Sequence, residues 1–341
     1  MAGKAPLFWW EKPDWRTCVL APLSWIYGAV ARHRMLAAVP PKVAAPVLCI
    51  GNYTVGGAGK TPTAIALARA ARAKGLKPAI VSRGYGGSYK GLHLVDPDHD
   101  PASLVGDEPL LLAQHAPVAL SAERFRAAER LIELGSNFII MDDGFQSARL
   151  YADYALLVVD ASRGIGNGCV IPAGPLRAPF PEQMGRTDAL LVIGRGDAAD
   201  FVVRQAARAA RPVFHAHLQP SYDRQVAGQC FLAFAGIGNP DKFYASVREA
   251  GGKVIEMCSF PDHHPYSADE VRLLGDMAEK KQLGLITTAK DQVRLATMPD
   301  IEKAFLEKIA VLDVELQFDR SDAAGMIIDS TIERFDRRQQ G

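Results

Sequence analysis

The run from Val47 to Gly75, VLCIGNYTVGGAGKTPTAIALARAARAKG, leaves this chain few folds to choose from. It opens on a continuous apolar stretch, as a strand does in a parallel sheet covered on both faces. It closes on an alanine-rich helix with Pro62 near its start and Gly75 as its stop. Between them lies a loop ending Gly56-Gly57-Ala58-Gly59-Lys60-Thr61. Glycines let backbone N–H groups converge on phosphate oxygens, and the helix N-terminus adds positive potential. The usual pattern, G-x-x-x-x-G-K-[ST], has glycine where this chain has Thr54, followed by Val55. The arrangement predicts that residues 54–61 bind a nucleotide, with Lys60 on the β- and γ-phosphates and Thr61 on Mg²⁺. A glycine turn with no ligand is the competing reading.

The strand–helix alternation continues. KPAIVS, PVALS, NFIIMDD, YALLVVDA and DALLVIGRG read as strands, with helices at GDEPLLLAQHA and AERFRAAERLIELG. This predicts an α/β fold, a P-loop NTPase-like doubly wound parallel sheet. The stretch SRGIGNGCVIPAGPLRAPFPEQMGR is long, rich in Gly and Pro and without periodicity, as functional loops often are. Near 211–229 the pattern restarts. The expected organisation is an N-terminal segment 1–40, a phosphate-loop domain 41–215, a second, smaller α/β domain 216–320, and a C-terminal amphipathic helix 321–341 that packs back on the first domain.

The net charge of +1 argues against binding nucleic acid through bulk electrostatics. The five cysteines are widely spaced with no C-x-x-C pair, which speaks against a disulfide framework or zinc site and fits a reducing compartment. All four tryptophans (Trp9, Trp10, Trp15, Trp25) lie in the first 25 residues. The uncharged run Thr17 to Ala31 is shorter than the roughly 20 residues a spanning helix needs, and Pro22 interrupts it. Three readings compete: a core helix, an interfacial helix lying on a membrane, and a cleaved signal ending at Ala29-Val30-Ala31. Glu11 and Asp14 speak against the signal. Clustered Trp and Tyr with flanking Arg suit a headgroup layer, so a membrane-associating amphipathic helix is the expectation.

Asp142 and Asp143 follow the apolar strand FIIM, where a nucleotide's Mg²⁺ is held in such sheets. A simple turn is the alternative. Asp107 and Glu108 in VGDEP stand at a strand-to-helix switch, where ligands gather, or cap a helix. His263 and His264 in FPDHHPY suit acid–base work, with Asp262 placed to orient one imidazole, or form a surface loop or bind a metal. In TTAKDQVRL, Lys290 and Asp291 are adjacent, so the Asn-Lys-x-Asp base-recognition pattern of GTPases is missing.

Together, GNYTVGGAGKTP, SRGYGG, GDEP, MDDGFQ, GNGCVIPAGPLRAP, FAGIGNP, FPDHH and TAKD, in this order from 51 to 291, resemble the bacterial tetraacyldisaccharide 4′-kinase (lipid A 4′-kinase) family. The resemblance implies transfer of the γ-phosphate of Mg-ATP to the 4′-hydroxyl of an acylated glucosamine disaccharide 1-phosphate, giving lipid IVA in lipid A biosynthesis. It implies a monomer on the cytoplasmic face of the inner membrane, with the N-terminal helix as anchor. Asp107 becomes the base, working with His263. Lys60 and Thr61 keep their phosphate and Mg²⁺ roles beside Asp142 and Asp143. Arg177, Asn167 and Glu108 mark the acceptor region. Ser147 stands where the family usually has His. Rival functions are a P-loop ATPase or GTPase switch or metallochaperone, and a non-enzymatic membrane-interaction module.

Overall fold

Apolar runs with helices on both faces become the strands of a single sheet. The computed structural model describes residues 5–37, 39–84, 87–147, 149–222, 225–238, 240–298 and 301–340. Tyr85 and Gly86 of SRGYGG, Ala148 after Ser147, and Asn239 of FAGIGNP lie outside the described residues. A short 3-10 turn, Leu7–Trp10, precedes α1 (Trp15–Ala37). The first half continues with β1 (Val47–Asn52), α2 (Lys60–Ala73), β2 (Pro78–Ser82), β3 (His93–Leu94), α3 (Ala102–Val105), α4 (Asp107–Ala113), β4 (Val118–Leu120) and α5 (Arg124–Glu133). It ends with β5 (Phe138–Asp142), β6 (Tyr154–Asp160), α6 (Phe180–Gly185), β7 (Ala189–Ile193), α7 (Asp200–Arg208) and β8 (Val213–Tyr222). The second half holds β9 (Cys230–Ala235), α8 (Pro240–Glu249), β10 (Lys253–Ser259), α9 (Ala268–Lys280), β11 (Gly284–Thr288), α10 (Ala289–Ala296), α11 (Lys303–Leu306) and β12 (Ile309–Phe318), and α12 (Ala323–Gln340) closes the chain.

Among the described residues the strands form one twelve-stranded sheet in the order β10-β9-β11-β12-β8-β7-β6-β1-β5-β2-β4-β3. All neighbours are parallel except β8 with β12 and β3 with β4. Residues 215 and 216 are consecutive positions of β8. β7 ends with Ile193 opposite Ala216, and β8 runs on to Tyr222, pairing there with β12 instead. Ile309 to Leu312 of β12 also pair with β11. Because β8 and β12 are antiparallel, the strands of the second half run opposite to those of the first. The carboxyl ends of the two sets of strands therefore face each other across the molecule.

Each half has its own core on both faces of the sheet. Helix α2 comes close to the strands because small residues line its buried stripe: Thr63, Ala64, Leu67, Ala68 and Ala71. Helix α12 packs against α2, β1 and β6, burying Ala323, Ile327, Ile328 and Thr331.

Helix α1 departs from expectation at one point: Pro22 does not interrupt it. The proline removes one N–H, but packing holds the helix on both sides of it. Thr17, Ser24, Gly28 and Met35 are buried, and Ser24 Oγ donates to Val170 O at 2.6 Å. The usual amphipathic order is thus reversed. A mostly small and polar face meets the body, while Trp15, Val19, Leu23, Trp25, Ile26 and Val30 point outward. No helix among the described residues is long and apolar enough to cross a membrane.

The last turn of α12 holds a buried charge. Arg338 Nε lies 2.9 Å from Asp153 Oδ1, and Asp153 Oδ2 accepts from Val47 N at the start of β1. Arg338→Met leaves that carboxylate buried without its counter-charge. The expected loss is about 3 kcal/mol in urea unfolding, and a loss within error of zero would show that Asp153 takes up a proton instead.

Candidate active site

Thr54 explains itself once its neighbours are seen. It is buried in a β-bridge with Leu176, its carbonyl accepts from Arg177 Nε at 3.0 Å, and Val55 N donates to Pro175 O at 2.8 Å. A backbone paired as a strand needs no glycine. The left-handed turns come later, at Gly56 (φ 110°) and Gly59 (φ 88°). A Cβ at Gly59 would lie 2.7 Å from Ile193 Cδ1. Lys60 and Thr61 then open α2, as the spacing predicts. Residues 54–61 thus lie at the carboxyl end of the central strand β1, where open α/β sheets take their ligands.

Asp142 ends the neighbouring strand β5. Its Oδ1 is buried with no hydrogen-bond partner among the described residues. Burial pushes its pKa up to about 7, with Glu108 and Asp143 adding to the effect against Lys60 and Arg124. Asp143 is different. Burial raises it too, but Lys60, Arg177 and Arg124 hold its carboxyl below the usual range. Arg177 Nη1 donates to its Oδ1 at 2.7 Å, and Lys60 Nζ lies 3.8 Å from the same oxygen. An orphaned buried carboxylate oxygen on Asp142 and a hydroxyl on Thr61 are a donor set that suits Mg²⁺, which keeps several waters and takes few protein ligands. Among the described residues no group of three His, Cys, Asp or Glu could hold a metal by itself.

Opposite these groups stands a carboxylate gripped from the other half. Asp107 opens α4 and is buried. Its Oδ2 accepts from His263 Nδ1 at 2.8 Å and from Arg294 Nε at 2.8 Å, with Arg294 Nη2 2.6 Å away in ion-pair contact. Burial raises the Asp107 pKa, but the bonds from His263 and Arg294 outweigh it and hold the group below the usual carboxylate range. The same bond raises His263 above the ordinary imidazole value, against its partial burial. Asp262, expected to orient the imidazole, lies 3.9 Å from Nε2. The orienting group is Asp107 itself. His264 faces elsewhere: Nε2 bonds to Glu270 at 3.0 Å and the ring stacks on Phe260.

The remaining candidates divide. Lys290 Nζ donates to Glu108 Oε1 at 2.9 Å, a second link between the halves. Arg177 joins the phosphate loop to Asp143. The Asn167 amide is engaged within its own loop, donating to Ala173 O and accepting from Cys169 N. Ser147 Oγ is buried without a partner among the described residues.

The sequence profile described as tetraacyldisaccharide-1-P 4′-kinase matches residues 16–333. The chain belongs to the tetraacyldisaccharide 4′-kinase family. Relatives from Brucella ovis and Brucella melitensis biotype 2, each named tetraacyldisaccharide 4′-kinase, are 67% identical over 341 residues, covering 100% of both chains. The crystal structure of "apo" form LpxK from Aquifex aeolicus in complex with ATP matches with TM-score 0.73 and 25% identity, over 92% of this chain and 99% of that one.

In this member of the tetraacyldisaccharide 4′-kinase family, three further residues serve the site that the sequence did not single out individually, Gln146 standing only as the end of MDDGFQ. Arg124 donates from Nη2 to Asp143 O at 2.9 Å while buried. Gln146 bridges Asn52 O and Gln183. Arg294, in a helix that reads as solvent-facing, is buried on Asp107.

The Asp142 carboxylate strains the fold that carries it. With its native pKa at about 7 against an ordinary 3.8, the folded state binds an extra proton between those values, so stability falls as pH rises through that window. Asp142→Asn is expected to raise the thermal midpoint of the metal-free protein by about 5 °C at pH 8. The gain should shrink steadily toward pH 4. A gain independent of pH would assign the effect to packing.

Proposed function

We infer that the protein is a tetraacyldisaccharide 4′-kinase, transferring the γ-phosphate of Mg-ATP to the 4′-hydroxyl of a tetraacyldisaccharide 1-phosphate to give lipid IVA. One observation carries the reading: in a chain of this family, Asp107 and His263 come from opposite halves and meet at 2.8 Å between the two facing carboxyl edges. The phosphate loop, residues 54–61, holds the donor, with Lys60 on its β- and γ-phosphates. Thr61 and Asp142, with Asp143 nearby, would hold the Mg²⁺, which would supply positive charge against the phosphate oxygens. Arg177 fixes the loop and Asp143 in one arrangement.

Asp107 is the base. The 4′-oxygen forms its bond to the γ-phosphorus as the bond to the β–γ bridging oxygen breaks, ADP leaves, and the hydroxyl proton passes to Asp107. A carboxylate with a depressed pKa is a weak base, which suits a loose phosphoryl-transfer transition state where the proton moves late. His263, half exposed and bonded through Nδ1, returns the proton to water through the dyad. Residues 216–222 of β8, paired along β12, join the domain 41–215 to the rest of the domain 216–320.

The glycolipid reaches this site from the membrane side. A groove of about 960 Å³ runs between α1 and residues 168–182, lined by Trp25, Gly28, Arg32, His33, Val170 and Glu182 among others. Its apolar walls suit acyl chains, while His33 and Arg32, the latter ion-paired with Glu182 at 3.0 Å, give it a polar edge. The outward apolar face of α1 seats the protein on the cytoplasmic face of the inner membrane. Both members of the dyad come from one chain, so a monomer suffices.

Mass spectrometry of a tetraacyldisaccharide 1-phosphate after incubation with Mg-ATP should show a gain of one phosphate on the distal sugar. ADP release without lipid phosphorylation would favour the nucleotide-switch reading. Asp107→Asn and His263→Gln should each lower kcat at least about 100-fold while ATP binding persists. Near-normal turnover in either variant sinks the dyad.

Replacing Val19 and Ile26, both exposed and outside the groove, together with Glu should leave the protein at the bottom of the gradient in a flotation assay with anionic vesicles, with turnover of a detergent-dispersed acceptor retained. Undiminished flotation would place the membrane contact elsewhere.

A further inference from the structure

We infer that Arg294 is a positioning residue for this reaction: reaching across from α10, it pins Oδ2 of Asp107 and leaves Oδ1 to meet the acceptor hydroxyl. The inference rests on the reading of Asp107 as base. Three nitrogens converge on one carboxylate oxygen: His263 Nδ1 and Arg294 Nε, each at 2.8 Å, and Arg294 Nη2 at 2.6 Å. Among the described residues Oδ1 takes no hydrogen bond. A carboxylate loaded so unequally has one oxygen anchored and the other available, with its plane fixed by the anchor.

Arg294 has little freedom of its own. It is buried, and Nη1 donates to Asp291 Oδ1 and to Gly236 O, both at 2.8 Å. Asp291 is fixed in turn by Tyr266 OH at 2.8 Å, Thr288 Oγ1 at 2.6 Å and Gly236 N at 3.0 Å. The guanidinium is therefore preorganised by its own half of the molecule. Lys290, four residues earlier on α10, meets Glu108. Helix α10 thus presents two cations one turn apart to the two consecutive acids that open α4. Asp107 is aimed only when the halves are docked.

The charged groups facing Asp107 are His263 and Arg294; those facing His263 are Asp107, Asp262 and Lys290. Removing the Arg294 charge leaves the Asp107 carboxylate to His263 alone. The imidazolium is then held more tightly and titrates at higher pH, a change that loose packing by itself does not produce.

The test uses the full chain in detergent micelles with Mg-ATP and tetraacyldisaccharide 1-phosphate. Arg294→Gln should lower kcat about 10- to 100-fold with KM for ATP nearly unchanged. Arg294→Lys should recover part of the loss. In an Asp107→Asn background, Arg294→Gln should add no further loss, since there is no base left to aim. The NMR titration midpoint of His263 should rise in Arg294→Gln. If Arg294→Gln fails to fold, judged by loss of thermal stabilisation by ATP, the same double-mutant cycle with Arg294→Lys decides: coupled losses support the inference. Losses that add in full to those of Asp107→Asn, or an unmoved His263 titration in a folded Arg294→Gln, overturn the positioning role alone. Near-normal turnover by Asp107→Asn overturns the base assignment and this inference with it.

Discussion

The antiparallel ribbon of β8 and β12 turns two sheets into one and points their carboxyl edges at each other. Strands of a doubly wound sheet collect their ligand-binding loops at the carboxyl ends. Had β12 joined β8 in parallel, the loops after β10 and β11 would open on the far side of the molecule from the phosphate loop. Instead β8 overshoots β7 by six residues, from His217 to Tyr222. At about 3.3 Å per residue this is a reach of about 20 Å. Asp107, His263 and Arg294, far apart in the chain, are brought together by that reach and by the change of direction.

Three acids at the site show how differently one fold can treat the same functional group. Asp142 is buried without a counter-charge in contact and resists ionisation. Asp143, one residue on, sits among Lys60, Arg177 and Arg124 and ionises readily. Asp107 is buried as well, yet two cationic partners from across the cleft keep it charged. Burial alone would raise all three. The outcome is decided by which cations the surrounding elements deliver.

Much of this was legible in the sequence because it was local. The strand, loop and helix around Lys60 announce themselves by a change of period and by Gly59-Lys60-Thr61. Asp142 and Asp143 stand at the end of an apolar run, and the ordered set of short motifs identifies the family. What was not legible depends on partners far away in the chain. Thr54 looks anomalous until Leu176 is seen beside it. Asp262 is the local candidate to orient His263, but Asp107 lies 156 positions away and does so. Lys290 and Asp291 register in sequence as part of TAKD and as an incomplete base-recognition motif, with nothing to say whom they meet. Their neighbour Arg294 looks like any helix-surface arginine. In α1 the aromatic cluster was plain, whereas the direction it faces depends on which small residues dock against the loop.

The pairing of Thr54 with Leu176 ties together two regions that a kinase acting on a lipid has to keep in register. Leu176 and Arg177 belong to the same connection as Val170, which accepts the bond from Ser24 of α1. The donor loop and the seat of the outward-facing helix are thus ends of one short, hydrogen-bonded strut. For a helix resting in a headgroup layer, such a strut sets a fixed height for the γ-phosphate above the bilayer plane. On the function proposed above, the sugar would be drawn up to that height while its chains stay near the lipid. Discrimination among acceptors would then be a matter of vertical reach: a headgroup with too short a span between its acyl linkages and its distal hydroxyl would not meet the phosphate, whatever its affinity for the groove.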